Sequence, residues 1–297
     1  MVLVVLAKSG DSNFIQRILH SNLSGFVHST FNRTYNIQCL EDGELYTIAC
    51  NELDNGPNTL VVDLTTFKDM NINVYDEVVA ANKRLSIGNK MSISIDKAES
   101  WEGDLPTYPT NTECLKENVK IMKQYIEIHG KSGGIKSKSM NESSFESEMA
   151  KMIKERTDLL MKELLSKRFR SAVPHAISLI GLGPGLTPSG DDFLVGLFTT
   201  FHLKGSPFSS QRWFCEEIEK VAKTATNDIS YIAIKKASAG KVRESIVDLV
   251  SALLVENEKN MILSLRKVLT IGSSSGTDIA LGILDGLEAN IKIGGTL

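Results

Sequence analysis

Residues 181–198 read GLGPGLTPSGDDFLVGLF, and the fold turns on how this stretch is parsed. Glycine opens backbone angles that other residues avoid, and proline fixes φ, so 181–188 reads as a stiff, shaped loop. At Ser189 the chain turns apolar with two acids in its first positions, the mark of a helix start. The pattern recurs as SGTDIALGIL at 275–284. Ser189, Gly190, Asp192, Gly196 and Leu197 stand opposite Ser275, Gly276, Asp278, Gly282 and Ile283, at a constant offset of 86 residues. The chain thus holds two related Ser-Gly-x-Asp helix starts.

Each copy predicts the same local physics. The serine is placed to cap the helix, with the third-position aspartate reaching back to the cap and complementing the macrodipole. On that reading, replacing Asp192 or Asp278 by Asn costs about 1 kcal/mol. Serine, aspartate and later glycine fall on one helical face, so the two helices are expected to cross at Gly196 and Gly282 with their starts side by side. Loops rich in Gly, Ser and Thr that open onto helix starts aim backbone N–H groups at one point, which favours an anion. The candidate binding residues are Gly183, Gly185, Leu186, Thr187, Ser189 and Gly190 in the first copy. In the second they are Ser273, Ser274, Ser275, Gly276 and Thr277. The candidate catalytic residues are Asp191, Asp192 and Asp278. Asp191 has no capping duty and is replaced by Thr277 in the second copy. No metal is firmly implied; if one is bound, Mg²⁺ on Asp191, Asp192 and Asp278 is the expected set.

Outward from these copies the two halves of the chain differ. FVHSTF, GELYTIAC, TLVVDLTTF and KMSISID in the first hundred residues read as short strands between turn formers. WEGDLPTYPTN near 101–111 reads as a boundary. Helices are expected at 113–128, 145–169, 190–203, 210–224, 228–239, 241–256, 258–270 and 276–291. HGKSGGIKSKSMNESS, 129–144, reads as a mobile loop and not a phosphate cradle. The fold class is α+β, with a strand-rich domain over 1–110 and a helical domain over 111–297.

Composition narrows the function. A net charge of −3 gives no general attraction to nucleic acid or acidic membranes. No apolar run reaches membrane length and the N-terminal one lacks a basic flank, so a cytoplasmic location is expected. Four dispersed cysteines and five dispersed histidines have no metal-ligand spacing. No Lys or Arg lies between 180 and 200. Lys235, Lys236, Lys241 and Arg243 are the nearest candidates for neutralising an anion.

GLGPGLTPSGDDFLVG and IGSSSGTDIALGIL resemble the two signature segments of the AllH-like family. GFVHSTFNRTYNI, NGP at 55–57 and TNDIS at 226–230 are weaker elements of the same resemblance. It implies a subunit of an oxamate carbamoyltransferase of allantoin catabolism, which converts oxalurate and phosphate to oxamate and carbamoyl phosphate. It also implies other carbamoyltransferase subunits as partners in an oligomer. The Arg-Thr cluster that grips carbamoyl phosphate in the ordinary transferases is absent from the motifs. Two alternatives stay open: a Mg²⁺-dependent hydrolase of a nucleotide or ribosyl ligand, and a non-catalytic assembly subunit.

Overall fold

Apolar residues at alternate positions bury one face of a strand, and a sheet with one such face must cover it or close on itself. The computed structural model describes residues 2–136, 144–255 and 258–295. It divides into two compact units, Met1–Gly103 and Asp104–Leu297.

The first unit is a closed β-barrel. Its strands are β1 (Leu3–Asp11), β2 (Ser24–Thr30), β3 (Thr34–Cys39), β4 (Leu45–Cys50), β5 (Thr59–Val62), β6 (Glu77–Ala81), β7 (Arg84–Ile87), β8 (Met91–Ser94) and β9 (Glu99–Trp101). They run in the order β5-β4-β3-β2-β6-β7-β8-β1-β9, and an antiparallel pairing of β5 with β1 closes the ring. β1 makes this possible by its length. Leu3–Leu6 pair parallel with β8, while Ala7–Gly10 pair with β5 across an irregularity between Ala7 and Ser9. Val5, Ala7, Val27, Ile37, Ile48, Leu60, Val78 and Ile93 fill the core, with Phe14, Ile15 and Ile18 of helix α1 (Ser12–Leu19) packed into it.

The second unit is helical: α2 (Glu113–His129), α3 (Ser144–Leu165), α4 (Phe169–Ile177), α5 (Ser189–Phe201), α6 (Trp213–Ala225), α7 (Asp228–Ser238), α8 (Glu244–Val255), α9 (Glu258–Leu269) and α10 (Ser275–Gly294). All 13 residues of α5 are buried, so its apolar residues need no single stripe. It packs along α10, with α2, α3, α7 and α9 against one or other of the pair. Among the described residues no helix is long and apolar enough to cross a membrane.

The helix expected at 145–169 ends at Leu165, where the backbone of Lys167 turns left-handed (φ 57°) before α4 begins. The division falls at Gly103–Asp104 and not at residue 110. The reason is local: Tyr108 N–H donates to the Lys204 carbonyl at 2.9 Å, tying the proline-rich stretch to the helices. Residues 137–143 of the expected mobile loop lie outside the described residues, as does Glu256 of the expected 241–256 helix.

Candidate functional site

α5 and α10 meet through small residues. Gly196 lies against the Ile279 carbonyl and the Ile283 amide, and Gly282 against the Phe193 carbonyl and the Leu197 amide. Further along, Gly286 lies against Thr200. The contacts advance together in both helices, so the two run parallel and their N-termini share one end. The crossing at Gly196 and Gly282 is the one the repeat predicts.

The capping expectation is corrected. The cap positions are Pro188 and Ser274, neither makes a side-chain cap bond, and Ser189 and Ser275 are the first helical residues. Asp192 and Asp278 are therefore the fourth helical residues, one position past the place from which a side chain reaches back to the cap. At the two helix starts, backbone N–H groups expected to face an anion are also occupied. Those of Gly190, Asp191 and Asp192 go to the carbonyls of Leu182 and Pro188, and those of Gly276, Thr277 and Asp278 to Ile271 and Ser274. Each serine–glycine start is folded tightly onto the loop before it.

Released from capping, the side chains cross over. Hydroxyls of Ser275 and Thr187 lie near enough to favour an ionised Asp192, and those of Ser189 and Ser274 an ionised Asp278. Each copy's aspartate is served by the other copy's serine. Thr187 Oγ1 and Ser275 Oγ are themselves 2.8 Å apart. Asp192 is 5% and Asp278 1% exposed. Among the described residues, Oδ2 of each has no hydrogen-bond partner.

Burial pushes the Asp192 carboxyl up to about 8, with the charges of Asp278 and Asp191 adding to the rise and the two hydroxyls opposing it. Burial pushes Asp278 to about 6, opposed by the Ile135 N–H and the hydroxyls of Ser189 and Ser274. Both carboxyls are thus raised toward neutral pH, Asp192 further than Asp278, and the pair titrates as one coupled unit.

Asp191 has a different task. Gly181 N–H donates to its Oδ1 at 2.8 Å, while the hydroxyls of Thr226 and Ser230 donate to Oδ2 at 2.5 and 2.7 Å. Asn227 Nδ2 reaches the Leu186 carbonyl at 2.8 Å, so the TNDIS segment pins the first loop to its helix. With both oxygens engaged there, Asp191 does not join Asp192 and Asp278 in one cluster. Among the described residues no group of three His, Cys, Asp or Glu side chains is arranged to hold a metal.

The stretch expected to be mobile is fixed over its first part. Ile135 N–H donates to Asp278 Oδ1 at 2.9 Å, and Gly134 lies so close to that carboxylate that a side chain there would overlap it. Lys131 N–H donates to Thr277 Oγ1 at 2.8 Å, and Lys131 Nζ to the Gly272 carbonyl at 3.0 Å. Lys136 Nζ holds carbonyls at the end of α2. Lys131 is thus a cation at the site that the motifs alone did not reveal.

The other expected residues separate. Thr187, Ser189, Ser274 and Ser275 join the aspartates. Gly185, Leu186 and Ser273 stay exposed at the outer edge of the loops. Gly183, at φ 128°, folds the first loop against Ser189. Lys241 pairs with Asp104 at 3.3 Å, and Lys235 and Lys236 lie in the last turn of α7, whose opposite end holds Asp191.

Comparison with known families matches both units. The oxamate carbamoyltransferase subunit AllH family covers residues 179–287, including both helix starts, and the AllH family N-terminal domain covers residues 6–100 in the barrel. No solved structure matches the chain. Two family matches over most of the sequence, one of them spanning both helix starts, have one conclusion: the chain belongs to the AllH family.

Proposed function

We propose that this chain is the subunit of an oxamate carbamoyltransferase that holds the carbamoyl group in transit, in the conversion of oxalurate and phosphate to oxamate and carbamoyl phosphate. The observation that carries the reading is the pair of buried aspartates, each with one oxygen left without a partner. A carbamoyl group presents one oxygen that accepts hydrogen bonds and one NH₂ that donates them. A protonated Asp192 beside an ionised Asp278 offers the complement: an O–H for the oxygen and a carboxylate for the NH₂. The anionic end of the substrate points to the rim, where Lys131, Ser273 and Ser274 lie. A phosphate oxygen attacks the carbamoyl carbon as the bond to the oxamate nitrogen breaks, and the proton lost by phosphate ends on that nitrogen. The protein contributes positioning and fixed hydrogen bonds. The reading needs no metal, and other subunits of the enzyme are its partners.

Thermal melts of the chain, alone and with its partner subunits, test this with phosphate, carbamoyl phosphate, oxamate, oxalurate and ADP-ribose, each with and without Mg²⁺. A ligand held only by the folded state stabilises it by about 2.7 kcal/mol at a hundredfold excess over its dissociation constant. The expected result is a metal-independent rise with oxalurate, oxamate or carbamoyl phosphate that disappears in Asp192→Ala. A rise with ADP-ribose only in the presence of Mg²⁺ would replace this reading with a hydrolase, and no rise with any compound would remove it.

A further inference from the structure

At the other end of α10 lies a cavity of about 640 Å³, bordered by Lys167, Arg168 and Arg170, with Pro207, Trp213 and Ile293 among its apolar walls. Ile293 and Ser275 are separated by most of a 20-residue helix, on the order of 27 Å at 1.5 Å per residue. The cavity is therefore separate from the aspartate pair. Its volume falls in the range of small-molecule sites.

The charges here are one-sided. Among the described residues no carboxylate lines the cavity. Glu163 meets Arg168 through two hydrogen bonds of 2.6 and 2.8 Å, but Glu163 is not a lining residue. The Arg170 guanidinium lies over the Trp213 ring, 5.2 Å from its centroid, and Trp213 Nε1–H is fixed by Gln211 Oε1 at 2.8 Å. A guanidinium held by its face keeps its in-plane N–H groups for another acceptor, and phosphate fits that fork in two-point fashion. α4 begins at Phe169 with no acid in its first turn and no side-chain cap, so its first N–H groups add the same sign of field. Beside these donors are an indole, a proline and an isoleucine, which suit a flat, weakly polar body and offer nothing to a bare inorganic ion.

We propose that this cavity binds a nucleotide: its phosphate on Arg170 and Lys167, its base against the apolar wall beside Trp213. The site is independent of the carbamoyl reading and stands or falls separately from it.

The test uses the full chain with Trp101→Phe, which leaves Trp213 as its one tryptophan of two. Indole fluorescence is followed against AMP, adenosine and inorganic phosphate, and calorimetry on the parent chain reads the same constants without that substitution. AMP is expected to give a saturable change, with adenosine and phosphate each weaker by about tenfold or more. Arg170→Gln and Lys167→Gly should each weaken AMP by about tenfold. Lys167→Gly is a clean probe of charge, because φ is 57° at this position and glycine is at ease there, so its melting midpoint should equal or exceed the parent's. Three outcomes would overturn the proposal: no saturable response up to millimolar AMP, equal affinity for AMP and inorganic phosphate, or AMP binding untouched by both variants.

Discussion

Asp192 is a carboxyl whose ordinary value of 3.8 rises to about 8 in the fold. The folded chain holds that proton more tightly than the unfolded chain does. Its stabilising contribution is therefore complete below about pH 4 and is lost as pH climbs to about 8, with Asp278 adding a loss of the same sign that ends near 6. Denaturant unfolding across pH 5 to 9 should show stability falling over this window. Asn mimics a protonated aspartate, so Asp192→Asn should match or exceed the parent at pH 8 and flatten the fall, in place of the roughly 1 kcal/mol cost that a capping role implies. A loss of that size at pH 8 would mean that Asp192 is ionised and paired. Asp191 serves the fold through its hydrogen bonds. It is 1% exposed and accepts from Gly181, Thr226 and Ser230, so Asp191→Ala strands three donors and should cost about 2–4 kcal/mol. A loss under about 1 kcal/mol would show that water replaces the carboxylate, and urea midpoints at constant slope would read it.

Among the elements, α5 and α10 were the most legible. Their shared pattern gave the helix starts, the common face and the crossing glycines, because packing two backbones closely leaves few residues other than glycine to choose from. Asn227 accepts from the Ser230 amide as an N-cap should. Other elements hid. β1 looked like a bare apolar run because Val4 and Leu6 face outward and stay exposed, which blurs the alternation. α1 follows β1 without a linker, and α4 carries Pro174, a residue that argues against a helix interior. The site was half visible. Its serines and aspartates are neighbours in sequence, but the exchange between copies and the contacts of Gly134 and Lys131 bridge some 140 residues. No local pattern encodes such distances. The helix crossing yields its own prediction: Gly196→Ala and Gly282→Ala each force a methyl into the facing backbone and should cost about 1–3 kcal/mol or more by urea unfolding. Variants as stable as the parent would mean that the helices can move apart without cost.

For the whole molecule, the two units each bury a core of their own. The barrel has closed its ring through the β5–β1 pairing. Residues 1–103 expressed alone should therefore give a cooperative thermal transition by circular dichroism, and a broad, sloping melt would show that the barrel leans on the rest of the chain. In the helical unit, the exchange of serine and aspartate between α5 and α10 has the logic of an isologous interface, in which every contact occurs twice about a two-fold axis. Here both partners lie on one chain, so the axis is only approximate and each half is free to diverge. The divergence is visible where Asp191 faces its counterpart Thr277: one half binds the TNDIS segment, the other the backbone of Lys131. A fused pair can fix which of its two acids keeps the shared proton, whereas in a true homodimer the two carboxyls are equivalent and neither is singled out before a ligand arrives.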